Sequence, residues 1–221
     1  MVTIGKKRAL HIITLIVTGF LLLTVFITFF PTSWIELELS EEVQEEHNPL
    51  LDIVMKTISW FGQTWNSIAI VVSTSATLLL LRFKREAFYC FLTLLMGVIT
   101  YGIKISVNRI RPTENLVRVI EKAKYQSFPS GHVGFYIAFF GLMAFFIYHG
   151  KWFTRTFRIA AISICLGLIF SIPFSRIYLG AHWFTDVLGG FMTGSLYLSI
   201  LVTFYLGKNQ SNTRIQEETF E

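Results

Sequence analysis

ALHIITLIVTGFLLLTVFITFF, residues 9–30, contains no Asp, Glu, Lys or Arg and follows Lys6-Lys7-Arg8. A helix needs about 20 apolar residues to cross the hydrocarbon of a bilayer, and this run supplies them. It is longer than the roughly 7–15 residues of a signal-peptide core, and no small-x-small cleavage site follows, so it reads as a retained first helix. Working outward, apolar runs predict further spans at 66–82, 87–107, 131–149, 159–175 and 184–206. The second of these is short and polar for a span. Charged residues make up 15% of the 221, against about 25% in a soluble domain. These features exclude an ordinary soluble protein. The expected fold is all-α: a polytopic bundle of six transmembrane helices, forming one domain over 1–221 with a polar, frayed cytoplasmic tail from 207. Cys90 and Cys165 fall inside predicted spans and read as small apolar packing residues.

The charges orient the bundle. Lys6, Lys7, Arg8, Arg82, Lys84, Arg85, Lys151, Arg155, Arg158, Lys208 and Arg214 all map to one side, which the positive-inside bias makes cytoplasmic. The loop after the first span carries Glu36, Glu38, Glu41, Glu42, Glu45 and Glu46 and is expected outside, with residues 41–46 as a solvated face. Lys104, Arg109, Arg111, Arg118, Lys122, Lys124 and Arg176 break the bias by mapping outside. Arg118, Lys122 and Lys124 read as a solvated basic loop. Lys104, Arg111 and Arg176 abut apolar runs, where charge is costly, and point to a bound anion. Residues 50–65 interleave Leu51, Ile53, Val54, Ile58, Trp60 and Trp65 with Asp52, Lys56 and Gln63. They read either as an amphipathic helix at the outer interface or as the start of the second span.

Three clusters on the outer side carry chemistry. Pro129-Ser130-Gly131 opens the fourth span, where a helix start leaves N–H groups for an anion, and the Ser130 hydroxyl adds a donor. Arg111 and Arg176 can fork onto phosphate oxygens, and Lys104 adds a compact charge. His182 and Asp186 are four residues apart and share a helix face. There the carboxylate can fix the imidazole tautomer and free the other nitrogen to attack. His132 can protonate a leaving oxygen. His11 and His149 map to the cytoplasmic half, and His47 to the acidic loop. Zinc ligation by His132, His182 and Asp186 is disfavoured by the adjacent cations, and the acidic loop lacks calcium-loop spacing.

Lys104…Arg111-Pro112, Pro129-Ser130-Gly131-His132 and Ser175-Arg176…His182…Asp186 resemble the three-part signature of the type 2 phosphatidic acid phosphatase superfamily. Residues 104–186 carry it with its spacings intact. The six-span layout is similar to that of the family's membrane-bound lipid phosphatases. The resemblance implies a phosphohistidine mechanism without metal or cofactor, on a membrane lipid such as phosphatidylglycerophosphate, phosphatidic acid or undecaprenyl diphosphate. It implies His182 as nucleophile, Asp186 as its holder and His132 as acid. Lys104, Arg111, Ser130, Gly131 and Arg176 would bind the phosphoryl oxygens.

The partners expected are a lipid phosphate and the bilayer, in a bacterial plasma membrane, with no nucleic acid. A phosphotransferase of the same family is a close variant. An anion transporter would also use intramembrane cations, but has no use for an acid beside an oriented nucleophile. A scaffold would leave the outer cations unexplained.

Overall fold

The computed structural model describes residues 2–150 and 153–218, with side chains described over 10–150 and 153–207. Nine helices follow in order among the described residues: α1 (Val2–Phe29), α2 (Trp34–Glu45), α3 (Pro49–Trp60), α4 (Thr64–Leu80), α5 (Lys84–Leu92), α6 (Leu95–Val107), α7 (Gly131–His149), α8 (Arg155–Tyr178) and α9 (Phe184–Glu218). Five stretches are long and apolar enough to cross a membrane: Leu10–Phe29, Lys84–Val107, Gly131–His149, Arg155–Tyr178 and Phe184–Gly207. The third predicted span is thus α5 and α6 together, joined by a tight turn at Thr93 and Leu94. The second is α4, whose 17 residues reach only about 26 Å at 1.5 Å per residue.

Of the two readings of residues 50–65, a separate helix holds as far as Trp60: α3 is started by the Asn48 side chain accepting from Leu51 N–H at 2.8 Å and ended before a turn at Phe61–Gln63, after which Thr64 and Trp65 open α4. The acidic segment is helix α2, and Glu41, Glu42, Glu45 and Glu46 are solvated as expected. Glu38, Glu41, Glu42, Glu45 and Glu46 are exposed, but Glu36, Ser40 and Gln44, four residues apart, form a buried stripe. Beyond 207, α9 continues to Glu218. Extending an existing helix costs far less than starting one. Lys151 lies outside the described residues, and so do the side chains of Lys6, Lys7, Arg8, Lys208 and Arg214.

α7 is the central helix. It packs against α8, α9, α6 and α5, and half of its span is buried, against 6% of the α1 span. Val133, Tyr136, Ile137 and Phe139 on α7 meet Ile169, Ile172 and Ile177 near the end of α8 and Val187 on α9. α7 and α9 approach closely because glycines face each other. A Cβ on Gly194 would lie 2.9 Å from Gly134 O and 3.0 Å from its Cα. Small residues at a contact let two helix backbones come together in a membrane.

These packings bring the C-terminal ends of α6 and α8 and the N-terminal ends of α7 and α9 to one end of the bundle, and α2 and α3 pack onto that end. Gln44 Nε2 donates to Arg118 O (2.8 Å) and Tyr178 O (2.9 Å). The Arg118 guanidinium holds Asp52 of α3, with Nη2 2.8 Å from Oδ2. Gly180, at φ +64°, turns the chain between α8 and α9 where a Cβ would strike Arg118 O. At the other end Tyr205 ties α9 to α5, its hydroxyl donating to Glu86 Oε1 at 2.6 Å beneath the Arg85 guanidinium.

Candidate active site

α6 ends at Asn108, which takes the left-handed conformation (φ 50°) and donates its N–H to Lys104 O at 2.9 Å. The chain then runs across the bundle end to α7. Lys104 lies in the last turn of α6, buried. Its Nζ donates to Gln126 O (2.5 Å) and Ser127 O (2.9 Å). Arg111 Nε donates to Tyr125 O (2.5 Å) and Nη1 to Ala181 O. The same Nη1 lies 3.3 Å from His182 Nε2.

His182 is 2% exposed. Its Nδ1 is 3.4 Å from Asp186 Oδ2. A guanidinium offers donors only, so the Nε2 facing Arg111 must be the acceptor and Nδ1 carries the proton toward Asp186. Burial, with the charges of Arg111, Lys104 and Arg176, holds the imidazole well below its ordinary pKa and therefore neutral. Arg111 falls to about 10, chiefly by burial and beside Arg176, and stays protonated at neutral pH.

Ser130 caps α7 through its carbonyl, which accepts from Gly134 N–H at 3.1 Å, and makes no side-chain cap bond. Its N–H donates to Asp186 O at 2.8 Å, yet its buried Oγ has no partner. Gly131 and His132 form the first turn. The His132 ring sits on the α3–α4 turn, where a side chain at Gly62 would collide with it, and its buried Nε2 is also unpartnered. Arg176 is 1% exposed. Its Nη1 donates to Ser59 Oγ and, at 2.9 Å, to Glu121 Oε2, while Nε is buried without a partner. His132, Arg176, Arg111, Lys104 and His182 are within electrostatic reach of one another. Buried polar groups are nearly always hydrogen-bonded. Ser130 Oγ, His132 Nε2 and Arg176 Nε, on three signature residues, are among the buried side-chain atoms left with hydrogen-bonding capacity to spare. All eight residues expected from the sequence thus converge at one end of the bundle.

Four residues that sequence reading passed over complete the site. Ser127 donates its hydroxyl to Asp186 Oδ2, and Trp183 N–H donates to the same oxygen at 2.9 Å. Arg109 Nη1 lies 2.7 Å from Asp186 Oδ1, and its Nη2 2.7 Å from Glu36 Oε1. In the sequence Arg109 reads only as one of the cations mapping outside. The four-residue spacing of Glu36, Ser40 and Gln44 was the available signal for a buried face, masked by the acidic residues around it. By contrast Lys122, paired at 2.7 Å with Glu114, is 80% exposed along its side chain, as a solvated basic loop requires.

Known proteins resemble this chain in sequence and fold. Phosphatidylglycerophosphatase B of Bacillus subtilis (strain 168) is 27% identical over 160 residues, 71% of this chain and 76% of that protein. The crystal structure of a transmembrane PAP2-type phosphatidylglycerolphosphate phosphatase from Bacillus subtilis superposes with a TM-score of 0.73 at 25% identity, covering 87% of this chain and 94% of the other. Aquifex aeolicus LpxE shares the fold, with a TM-score of 0.60 at 22% identity over 76% of this chain and 94% of its own. The PAP2 superfamily model matches residues 85–210, a span that takes in the whole signature region, and the chain belongs to that superfamily.

Proposed function

We propose that this protein is a lipid phosphate phosphatase that works through a phosphohistidine on His182 and needs no metal. The observation that carries the reading is the set of buried, unpartnered Ser130 Oγ, His132 Nε2 and Arg176 Nε beside a neutral His182. A phosphoryl group fits them. Its oxygens take the donors of Ser130 and Arg176, the α7 start at Gly131, and the charges of Lys104 and Arg111. His182 Nε2 attacks phosphorus while Asp186 accepts from Nδ1–H and steadies the imidazolium that forms. The P–O bond to the lipid breaks, and His132 gives the leaving oxygen its proton. Water, deprotonated by His132, then attacks the phosphohistidine, and inorganic phosphate leaves. Cationic side chains meet the transition-state charge, which supports the absence of a metal.

The chain's apolar helices and its similarity to the Bacillus subtilis enzyme support a membrane lipid as substrate. Six spans, with α4 crossing as the second, cytoplasmic termini and the site at the outer face of a bacterial plasma membrane, follow from the charge distribution.

The test is phosphate release by purified protein in detergent from phosphatidylglycerophosphate, phosphatidic acid and undecaprenyl diphosphate. Release is expected from at least one, unchanged in excess chelator and abolished in His182→Ala. Activity lost in chelator and restored by magnesium would refute the metal-free chemistry. Appreciable release by His182→Ala would refute the phosphohistidine.

A further inference from the structure

Behind Asp186, away from the phosphate-binding cations, lies a second layer of charge. Arg109 is 4% exposed and divides its guanidinium between two elements. Nη1 donates to Asp186 Oδ1 (2.7 Å) and Thr185 Oγ1 (2.6 Å) at the start of α9. Nη2 donates to Glu36 Oε1 on α2 (2.7 Å) and to Pro31 O (2.8 Å). Thr185 donates its hydroxyl to Glu36 Oε1, and its N–H reaches Oε2 at 3.4 Å. Glu36 and Asp186 are both wholly buried. Two carboxylates thus share one cation in a buried layer, where charge is costly and bare packing would be better served by apolar side chains.

We propose that Arg109 and Glu36 are positioning residues for the reaction: Arg109 grips Asp186 by Oδ1 so that Oδ2 faces His182, and Glu36 sets how much of the Arg109 charge Asp186 feels. This rests on His182 being the nucleophile.

Asp186 Oδ2 already takes the Ser127 hydroxyl and the Trp183 N–H, so His182 at 3.4 Å is its weakest partner and the one most sensitive to rotation of the carboxylate. The charges that face His182 are Lys104 on α6, Arg111 beyond it, Arg176 on α8 with Glu121 against it, His132 on α7 and Asp186 on α9. Glu36 reaches it only through Arg109. An unscreened Asp186 anion favours the protonated imidazole; the Arg109 cation offsets that anion and helps keep the nucleophile neutral. Glu36, by claiming part of Arg109, acts in the opposite sense.

The experiment measures kcat, KM and the pH dependence of kcat/KM on whichever lipid the wild type hydrolyses. The variants are Arg109→Lys, Arg109→Gln, Glu36→Gln and the double Arg109→Gln/Glu36→Gln. Titration of the substrate cancels between wild type and variants. Wild-type turnover and its loss in His182→Ala test the underlying assignment separately. With that in hand, Arg109→Gln is expected to lose roughly 100-fold in kcat with KM little changed. Its acid limb should move up by about one pH unit, because the Asp186 anion is no longer offset. Glu36→Gln should move the limb down. Arg109→Lys should hold the limb while recovering only part of kcat, since lysine keeps the charge but not the fork. The double variant leaves no orphaned Glu36, so it should fold where Arg109→Gln does not, and it should keep the upward shift. Acid limbs that stay together in Glu36→Gln and the double variant, or losses carried by KM, would overturn the proposal and leave Arg109 and Glu36 as structural residues.

Discussion

At the residue scale the two site histidines separate by their neighbours. His182 has a carboxylate one turn on and an Nε2 that faces Arg111 Nη1 at 3.3 Å; His132 has an unpartnered Nε2 and no acidic side chain bonded to it. A lipid alkoxide leaves poorly without a proton, whereas a nitrophenolate leaves readily. His132→Ala should therefore lose about 10²–10⁴-fold on a lipid monophosphate and recover most of its rate on p-nitrophenyl phosphate, while His182→Ala fails on both. Equal losses for His132→Ala on the two substrates would rule out its role as acid. His182 also links stability to pH. Its folded pKa lies below the unfolded value of about 6.5, so the unfolded chain takes up a proton that the folded chain refuses as pH falls below that value. The thermal midpoint in detergent should drop from pH 6.5 toward 5, and less steeply in His182→Ala. An equal slope in both would contradict a depressed pKa. The eight expected residues were legible because phosphate chemistry demands their types at set spacings. Arg109, Glu36 and Ser127 were not, because their partners lie 59 to 77 residues away and only the fold pairs them.

At the element scale, helix ends carry the site, and glycine contacts set where those ends lie. Gly194 on α9 meets the Gly134 backbone of α7, which cannot yield as a side chain would. Gly194→Leu should cost about 1–3 kcal/mol by overpacking and, by parting the ends that bear Ser130 and Asp186, should also remove phosphate release. Gly102→Ala on α6, which has open space around it, should leave both thermal midpoint and rate near wild type. Similar damage from the two would show that the close approach is not what matters. The long apolar helices were legible from hydropathy to within a few residues. α2 was not, because its buried stripe is made of Glu36, Ser40 and Gln44, side chains that hydropathy assigns to water. The break between α3 and α4 was legible only as one of two readings, and only the fold puts the turn at Phe61-Gly62-Gln63.

At the scale of the whole molecule, the two ends of the bundle face different compartments if the charge distribution orients it. Cys90 and Cys165 are buried, so the background for thiol labelling is low. A cysteine placed at Asn115, exposed in the segment between α6 and α7, should react with an impermeant reagent added to intact cells. One at Thr154, at the opposite end, should react only after lysis. The reverse pattern would turn the site toward the cytoplasm and redirect the choice of substrate.

The shared cation at Arg109 has a consequence for biosynthesis. Glu36 is made early and Asp186 roughly 150 residues later. At about 5–20 residues per second, the interval is on the order of 8–30 s. Once Arg109 has been made, about halfway through that interval, Glu36 and Arg109 can meet each other, but the acceptor that completes the cluster is still untranslated. The nascent chain therefore holds an unfinished ionic knot at the bilayer surface until α9 arrives. Ribosome-bound intermediates halted before residue 186 should be more open to protease around α2 than those halted after α9 has emerged.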